Sequence, residues 1–513
     1  MVNIIVIILV IIAYMAGMVE IGRRLSKRNK STDDFYLGGR KLGPFVTAMS
    51  AEASDMSSWL LMGLPGVALA GLTGGNGTFA EAFWTAAGLA LGTYMNWLIV
   101  AKPIRIYSEH IHANTIPDFF SNRYQEKKGV LLALSAIIIV VFFVPYTASG
   151  FASVGKLFNS MFGINYHTAM ILGAIVIAVY TTLGGFLAAS TTDLIQSIIM
   201  TIALIVVLFY SLSCGGGFSE SIAQTEDVSN YFSLNGPDHS FSLLTIFSSF
   251  AWGLGYFGMP HILLRFMAIE DDRKLKMSRR IATVWVVISM GVAILIGVIG
   301  YSFAQAKGLI GQANFDPERI IIYISSALGK INPFTAILAG LILSGILASQ
   351  MSTSDSQMLA ASSSMSENLI HHFFWKDMPQ NKQMTAARLT VLLITVIGIF
   401  FAWNPNSSVF RIISFAWAGF GASFGPLVLF SLFWKRTTLQ GAAAGIISGG
   451  IMVFVWKFGI SKLGGIFAIY ELLPAFLVSC LFIVVVSLLT PEPSKEITDA
   501  FDEVKSKLKN RYE

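Results

Sequence analysis

Charge is scarce in this chain of 513 residues, where Asp, Glu, Lys and Arg together make up only 12%. An ordinary soluble domain carries about 25%, so a soluble enzyme is excluded first. Cysteine is nearly absent too: Cys214 and Cys480 lie in separate apolar segments with no CxxC pattern, which excludes a disulfide framework or a structural zinc site. The seven histidines show no metal-ligand spacing, and there is no Walker A sequence, so no ATP-driven step is expected within the chain. Gly421-Ala-Ser423-Phe-Gly425 has the form GxSxG. It sits inside an apolar run with no strand before it, which argues against a nucleophile elbow. The expectation is a protein that is no enzyme and carries no cofactor. Met1 to Gly22 lacks the basic region and small-residue cleavage site of a signal peptide, so it reads as a retained first span.

What the chain has in place of charge is hydrophobic residues, 54% of the total. Apolar segments fall near 2–22, 45–70, 78–101, 129–158, 166–187, 188–213, 241–264, 281–305, 333–365, 385–403, 407–433, 438–459 and 466–490. Many approach the ~20 residues needed to cross a bilayer, and the pattern predicts an all-α integral membrane protein with about 13 transmembrane helices. With the N-terminus outside, the cytoplasmic loops and tail hold 28 of the 35 Lys and Arg. That excess is the cytoplasmic signature and predicts a multi-pass protein of the cell membrane, N-terminus out and C-terminus in. It also accounts for the net charge of +6 without a nucleic-acid partner. No obligate protein partner is evident. In the tail from 491 to 513, Ile497, Phe501, Val504 and Leu508 recur at helical spacing; a solvated helix is expected there in preference to a membrane-surface helix.

Two segments are interrupted at mid-membrane: the second by Ala51-Glu52-Ala53-Ser54-Asp55-Met56-Ser57-Ser58, the seventh by Gly253-Leu254-Gly255-Tyr256-Phe257-Gly258-Met259-Pro260. Broken helices at corresponding places of two halves mark secondary transporters built from repeats. Five segments separate the two starts, and an odd number of helices per repeat inverts the second. The expected organisation is a first span and loop (1–44), a five-helix repeat (45–213), an external loop (214–240), a second repeat (241–433), two further helices (434–490) and the tail.

Acidic residues at membrane depth cost about 2.5 to 3.5 kcal/mol on insertion scales and so need a reason. Glu52 and Asp55 lie three apart in the second segment, Asp193 opens the sixth, and Asp355 lies in the ninth beside Ser356. Cation binding and a structural hydrogen-bond network both account for them. The stretch Ser349 to Gln357 is unusually rich in side-chain oxygen. Carbonyls freed by a broken helix, facing the hydroxyls of Ser352 and Thr353, make a plausible sodium cage; small-residue helix packing is the alternative.

With those residues in view the sequence resembles the sodium/solute symporter family, and within it the sodium/proline symporters. The resemblance runs from about Tyr36 to Leu489, through Tyr36-Leu-Gly-Gly-Arg40, Ser54-Asp55-Met56-Ser57 with Trp59, Met62-Gly-Leu-Pro-Gly66, Gly184-Gly-Phe-Leu-Ala188, Trp252-Gly-Leu-Gly-Tyr256, Pro260-His261, Met351-Ser-Thr353 and Trp417-Ala-Gly-Phe-Gly421. It implies a LeuT-type five-plus-five inverted repeat, alternating access and sodium as the coupling ion. By position it implies that sodium is held by the carbonyls of Ala53, Met56 and Ser349 and the hydroxyls of Ser352 and Thr353. Asp55 and Ser57 match residues important for sodium and substrate, and Tyr146, Trp252, Tyr256 and Pro260 match the proline pocket. Asp193, Asp355, Ser356 and Glu52 are kept as additional ion or gating candidates. Glu52 and Ser58 stand where the familiar proline transporters have glycine, and Met259 where they have glutamine. The expected function is sodium-coupled import of L-proline; another small amino acid or organic solute is the alternative, and a solute sensor a further one.

Overall fold

Glycine, proline and serine punctuate the apolar runs, and they decide where the helices stop. The computed structural model describes residues 2–26, 37–75, 77–183, 185–214, 228–312, 315–375 and 378–510. Residues 27–36 of the first basic loop, Gly184, and 215–227 of the expected external loop lie outside the described residues, as do 511–513 of the tail.

The main helices are α1 (Val2–Ser26), α2 (Pro44–Asp55), α3 (Leu64–Thr73), α4 (Phe79–Met95), α5 (Ala101–His110), α6 (Val130–Phe162), α7 (Tyr166–Leu183) and α8 (Phe186–Cys214). They continue as α9 (Leu243–Phe250), α10 (Pro260–Ala268), α11 (Leu275–Ala306), α12 (Pro333–Ser363), α13 (Gln380–Phe401), α14 (Val409–Phe433), α15 (Leu439–Phe458), α16 (Leu472–Leu489) and α17 (Lys495–Asn510). No strand occurs among the described residues; there is one isolated bridge, Leu42 with Ile269. Each of the thirteen expected segments contains a helix. Among the described residues eight helices are long and apolar enough to cross a membrane, or nine with the bent pair α2 and α3 taken as one. The apolar helices at Tyr166–Thr182, Leu243–Gly258 and Thr385–Phe401 are shorter.

Both expected interruptions are breaks. Met56 ends α2 with ψ at 66°, outside the helical range, and the chain resumes through a wide turn at Trp59–Gly63 with a 60° bend. Serine and aspartate favour local bonds over the helix ladder, and here the amide of Ser57 donates to Asp55 O at 2.8 Å. In the seventh segment α9 winds into a tight 3₁₀ stretch, Ala251–Gly258, before Met259 turns extended at φ −79° and ψ 108°. Pro260 enforces that extension on the residue before it and opens α10 at its first turn. Gly253 and Gly92 of α4 meet backbone to backbone, with no room for a Cβ on either.

The two broken helices are tied at one end, where Leu42 N donates to Ala268 O (3.1 Å) and Glu270 N to Leu42 O (3.0 Å). Arg40 pins the same corner by donating to Met267 O and Ala113 O. Helix α12 packs against α1, α2, α6 and α8, while α14 packs against the 251–258 stretch, α6, α15 and α16.

Two expectations need correction. Arg105, Arg123 and Arg265, counted as loop charges, are buried in helices and donate to Ile269 O, Ser431 O and Asp193 respectively. Their carbonyl and carboxylate partners offset the cost of burial. The tail helix α17 is docked, not solvated all round: Phe501 and Val504 are buried. The Arg123 guanidinium lies 5.2 Å over the Phe501 ring, Lys435 pairs with Asp502, and Lys507 meets His110 at 3.1 Å.

Candidate functional site

The break in α2 frees backbone oxygens, and α12 meets them with hydroxyls. Ser352 Oγ donates to Ala53 O at 2.7 Å, a contact between residues 299 apart in sequence, and also lies 3.1 Å from Ser349 O. Thr353 Oγ1 lies 3.1 Å from Ser349 O. Four of the five expected sodium ligands, Ala53, Ser349, Ser352 and Thr353, thus form one buried cluster of neutral oxygens. Met56, the fifth, sits at the break itself and is fully buried. Neutral oxygens at hydrogen-bond spacing are the donor set that a hard monovalent cation takes in place of water.

Beside the cluster, Asp55 is fully buried. Its Oδ2 accepts from Tyr256 OH at 2.6 Å, and its Oδ1 has no hydrogen-bond partner. Its carbonyl accepts from Tyr146 OH at 3.2 Å and from the Trp59 indole at 3.1 Å. Tyrosines from α6 and from the second break therefore converge on the last residue of α2. Trp252 and Tyr256 lie four apart, a spacing that α-helical winding would place on nearly the same face. The 3₁₀ geometry has three residues per turn and sets four-apart residues about 120° apart. Trp417 of α14 joins the two rings instead, with its indole donating to Trp252 O at 2.8 Å and its ring 5.0 Å from that of Tyr256. Trp252 stacks on Tyr470 at 5.0 Å. Met259 and Pro260 are buried at the second break.

The other candidates divide. Asp193 Oδ2 accepts from Arg265 (3.2 Å) and Ser50 (2.7 Å). Arg265 also donates to Ser356 Oγ at 2.5 Å and to Ser50 Oγ at 3.1 Å. Asp193 and Ser356 are therefore joined through an arginine that sequence reasoning placed in a loop. Asp355 reaches Ser356 Oγ at 3.2 Å and leaves Oδ2 unpaired. Glu52 turns away from the oxygen cluster to accept from the Trp97 indole at 2.9 Å, leaving Oε2 unpaired. Ser58 lies 3.3 Å from Gln350 Oε1, and the amide of Trp59 is 3.5 Å from Ser57 Oγ.

Glu318 was missed altogether. Its carboxylate accepts from Lys156 Nζ (2.8 Å), Ser408 Oγ (2.7 Å) and the amides of Val409 (3.0 Å) and Phe410 (3.2 Å), so it caps the N-terminus of α14 from another loop. The first amides of a helix have no partner within it and attract negative charge. Its backbone packs so closely on Gly66 of α3 that a Cβ there would stand 2.9 Å from Glu318 Cα. In sequence it is one acid in the mixed-charge run Asp316-Pro317-Glu318-Arg319, which looks like any solvated loop.

Comparison with known proteins agrees with this architecture. The model of the sodium:solute symporter family matches residues 35–449. The high-affinity proline transporter PutP of Bacillus subtilis is 42% identical over 493 residues, covering 95% of this chain and 98% of that protein. The sodium/proline symporter of Escherichia coli is 41% identical over 495 residues, covering 96% and 94%. A Na+-coupled sialic acid symporter, solved in a substrate-bound outward-open state, superposes with a TM-score of 0.77 at 18% identity, over 95% of this chain and 98% of that one. This last likeness bears on the fold alone and agrees with the LeuT-type architecture that the family resemblance implies. With a family model covering most of the chain and relatives above 40% identity end to end, this chain belongs to the sodium:solute symporter family.

Proposed function

We propose that the protein is a sodium-coupled secondary transporter that imports L-proline across the cytoplasmic membrane by alternating access. The observation that carries the reading is the pairing of freed carbonyls at the α2 break with the Ser352 and Thr353 hydroxyls, beside an aromatic wall. Proline is the solute that the printed names give to relatives about 40% identical over nearly the whole chain.

In this reading sodium takes the carbonyls of Ala53, Met56 and Ser349 and the two hydroxyls, and its charge draws α2 and α12 together. Asp55, oriented by Tyr256, supplies negative potential and an acceptor for the solute's secondary ammonium. Ser57 and the ends of α2 and α10 serve its polar groups; Tyr146, Trp252, Tyr256, Met259 and Pro260 surround the pyrrolidine ring, whose apolar surface suits aromatic and thioether contacts. Asp193 and Ser356 act through Arg265 to hold the inner ends of the helices, with Asp355 next to them. The repeats are 45–213 and 241–433, the first span and loop occupy 1–44, and the chain crosses the membrane thirteen times. The inward sodium gradient drives uptake because the solute pocket is completed only when the ion has closed the α2–α12 contact.

Uptake of labelled L-proline into proteoliposomes, with and without an inward sodium gradient, tests the reading. Sodium-dependent accumulation is expected, with Met259→Gln changing KM more than kcat. If proline neither enters nor competes while another amino acid does, the substrate assignment fails. Orientation has its own test. A cysteine replacing Leu234, which is 40% exposed, is expected to react with an impermeant thiol reagent from outside intact cells, and one at Arg273 only after permeabilisation. The reverse pattern inverts the topology.

A further inference from the structure

The two helices after α14, α15 and α16, reach the aromatic wall through one residue. The turn between them ends at Tyr470, whose ring lies 5.0 Å from that of Trp252 at an interplanar angle of 20°. Phe410 of α14 lies 5.1 Å from the same indole at 36°, and Trp252 is 5% exposed. Tyr470 is bonded to two other helices as well. Its hydroxyl donates to Ser414 O of α14 at 2.6 Å, and its amide donates to Ser248 Oγ of α9 at 2.7 Å.

The chain on both sides of Tyr470 is fixed to α15. Glu471, which is buried, accepts from Lys457 Nζ at 2.9 Å, and Ile469 O accepts from the Trp456 indole at 3.2 Å. The tyrosine ring therefore stands on a firm footing. Trp252 has a weaker one. It lies in the 3₁₀ stretch, whose hydrogen bonds are poorer than those of an α-helix, and Gly253 after it meets α4 through backbone alone. What keeps the indole in one orientation is the set of rings around it. Tyr470 is nearer to it and more nearly parallel than Phe410 or Trp417, and it belongs to neither of the broken helices.

We propose that Tyr470 is a positioning residue for the solute: anchored by α15, it holds the Trp252 indole in the orientation against which the solute ring packs. The hydroxyl and amide bonds of Tyr470 keep its ring flat on the indole, and the indole carries the effect to the pocket. The inference rests on the reading of Trp252 as part of a proline pocket. It adds a part in solute binding for α15 and α16, which lie outside the segments 45–213 and 241–433.

Uptake of labelled L-proline into proteoliposomes at saturating sodium, resolved into KM and kcat, gives the first measurement. A stacked ring pair and a neutral hydrogen bond together account for about 10-fold in binding. Tyr470→Leu is therefore expected to raise KM about 10-fold and to leave kcat within about twofold. Tyr470→Phe keeps the ring, loses only the bond to Ser414, and is expected to raise KM by no more than about 3-fold. The second measurement is a cycle of equilibrium proline-binding constants for the full-length protein in lipid nanodiscs, with Trp252→Leu as the other arm. Once the indole is gone, Tyr470→Leu is expected to weaken proline binding no further, because residues that act through one contact do not add. Effects that multiply in the double variant overturn the role, as does a native KM in Tyr470→Leu; both leave the transporter reading intact. If Tyr470→Leu does not fold, Tyr470→Phe takes its place in the cycle with the same two outcomes. Native protein that shows no sodium-dependent proline binding overturns both readings.

Discussion

Replacing Ser352 or Thr353 with alanine is expected to raise the sodium concentration for half-maximal uptake by about 10- to 100-fold. An interaction with a charged partner is worth about 1.5 to 3 kcal/mol, and every 1.4 kcal/mol is a factor of ten. The double variant should remove sodium stimulation over any usable range. Folding should be nearly untouched, because each change deletes one oxygen and at most a methyl group from helix α12, and alanine is the better helix former. Initial uptake rates against sodium, at fixed membrane content of the protein, measure the effect. Sodium dependence unchanged in both single variants would remove the ion from this place. Thr353→Ser, which keeps the hydroxyl, should retain most of the wild-type response.

The second large effect is on stability. Arg265 is 1% exposed and holds Asp193, Ser50, Ser356 and the carbonyl of His261. Arg265→Met leaves the Asp193 carboxylate buried with only Ser50 to hold it. Breaking a buried pair in this way costs about 3 to 5 kcal/mol, much more than the intact pair contributes. The variant is expected to lose most folded protein on extraction, measured as the monodisperse fraction and the midpoint of thermal unfolding. Adding Asp193→Asn should recover a large part of the loss by removing the stranded charge. A single variant as stable as the native protein would show that Asp193 is satisfied by other means.

Much of this was legible in the sequence, and the reasons are specific. Apolar length set the helices, and the clustering of Ser, Asp and Gly in otherwise apolar runs located both breaks to within a few residues, since those residues act locally. The oxygen cluster between α2 and α12 was legible in its parts because hydroxyls at membrane depth are conspicuous. What was hidden depends on winding or on partners distant in the chain. The 3₁₀ turn between Ala251 and Gly258 changed which rings share a face, and period alone does not separate it from an α-helix. Arg265 looked like the start of a basic loop, because Asp193 is 72 residues away in sequence. Phe501 and Val504 look amphipathic whether a helix faces water, lipid or protein; only the neighbouring Tyr107 and Arg123 decide it.

The contact of Glu318 with Gly66 leaves less than one methyl group of slack. A side chain at residue 66 would have to push back the Glu318 backbone, and the Glu318 carboxylate caps α14. Gly66→Ala therefore strains the join between α3 and the N-terminus of α14 without altering a charge, which makes one missing Cβ a condition for two distant helices to meet.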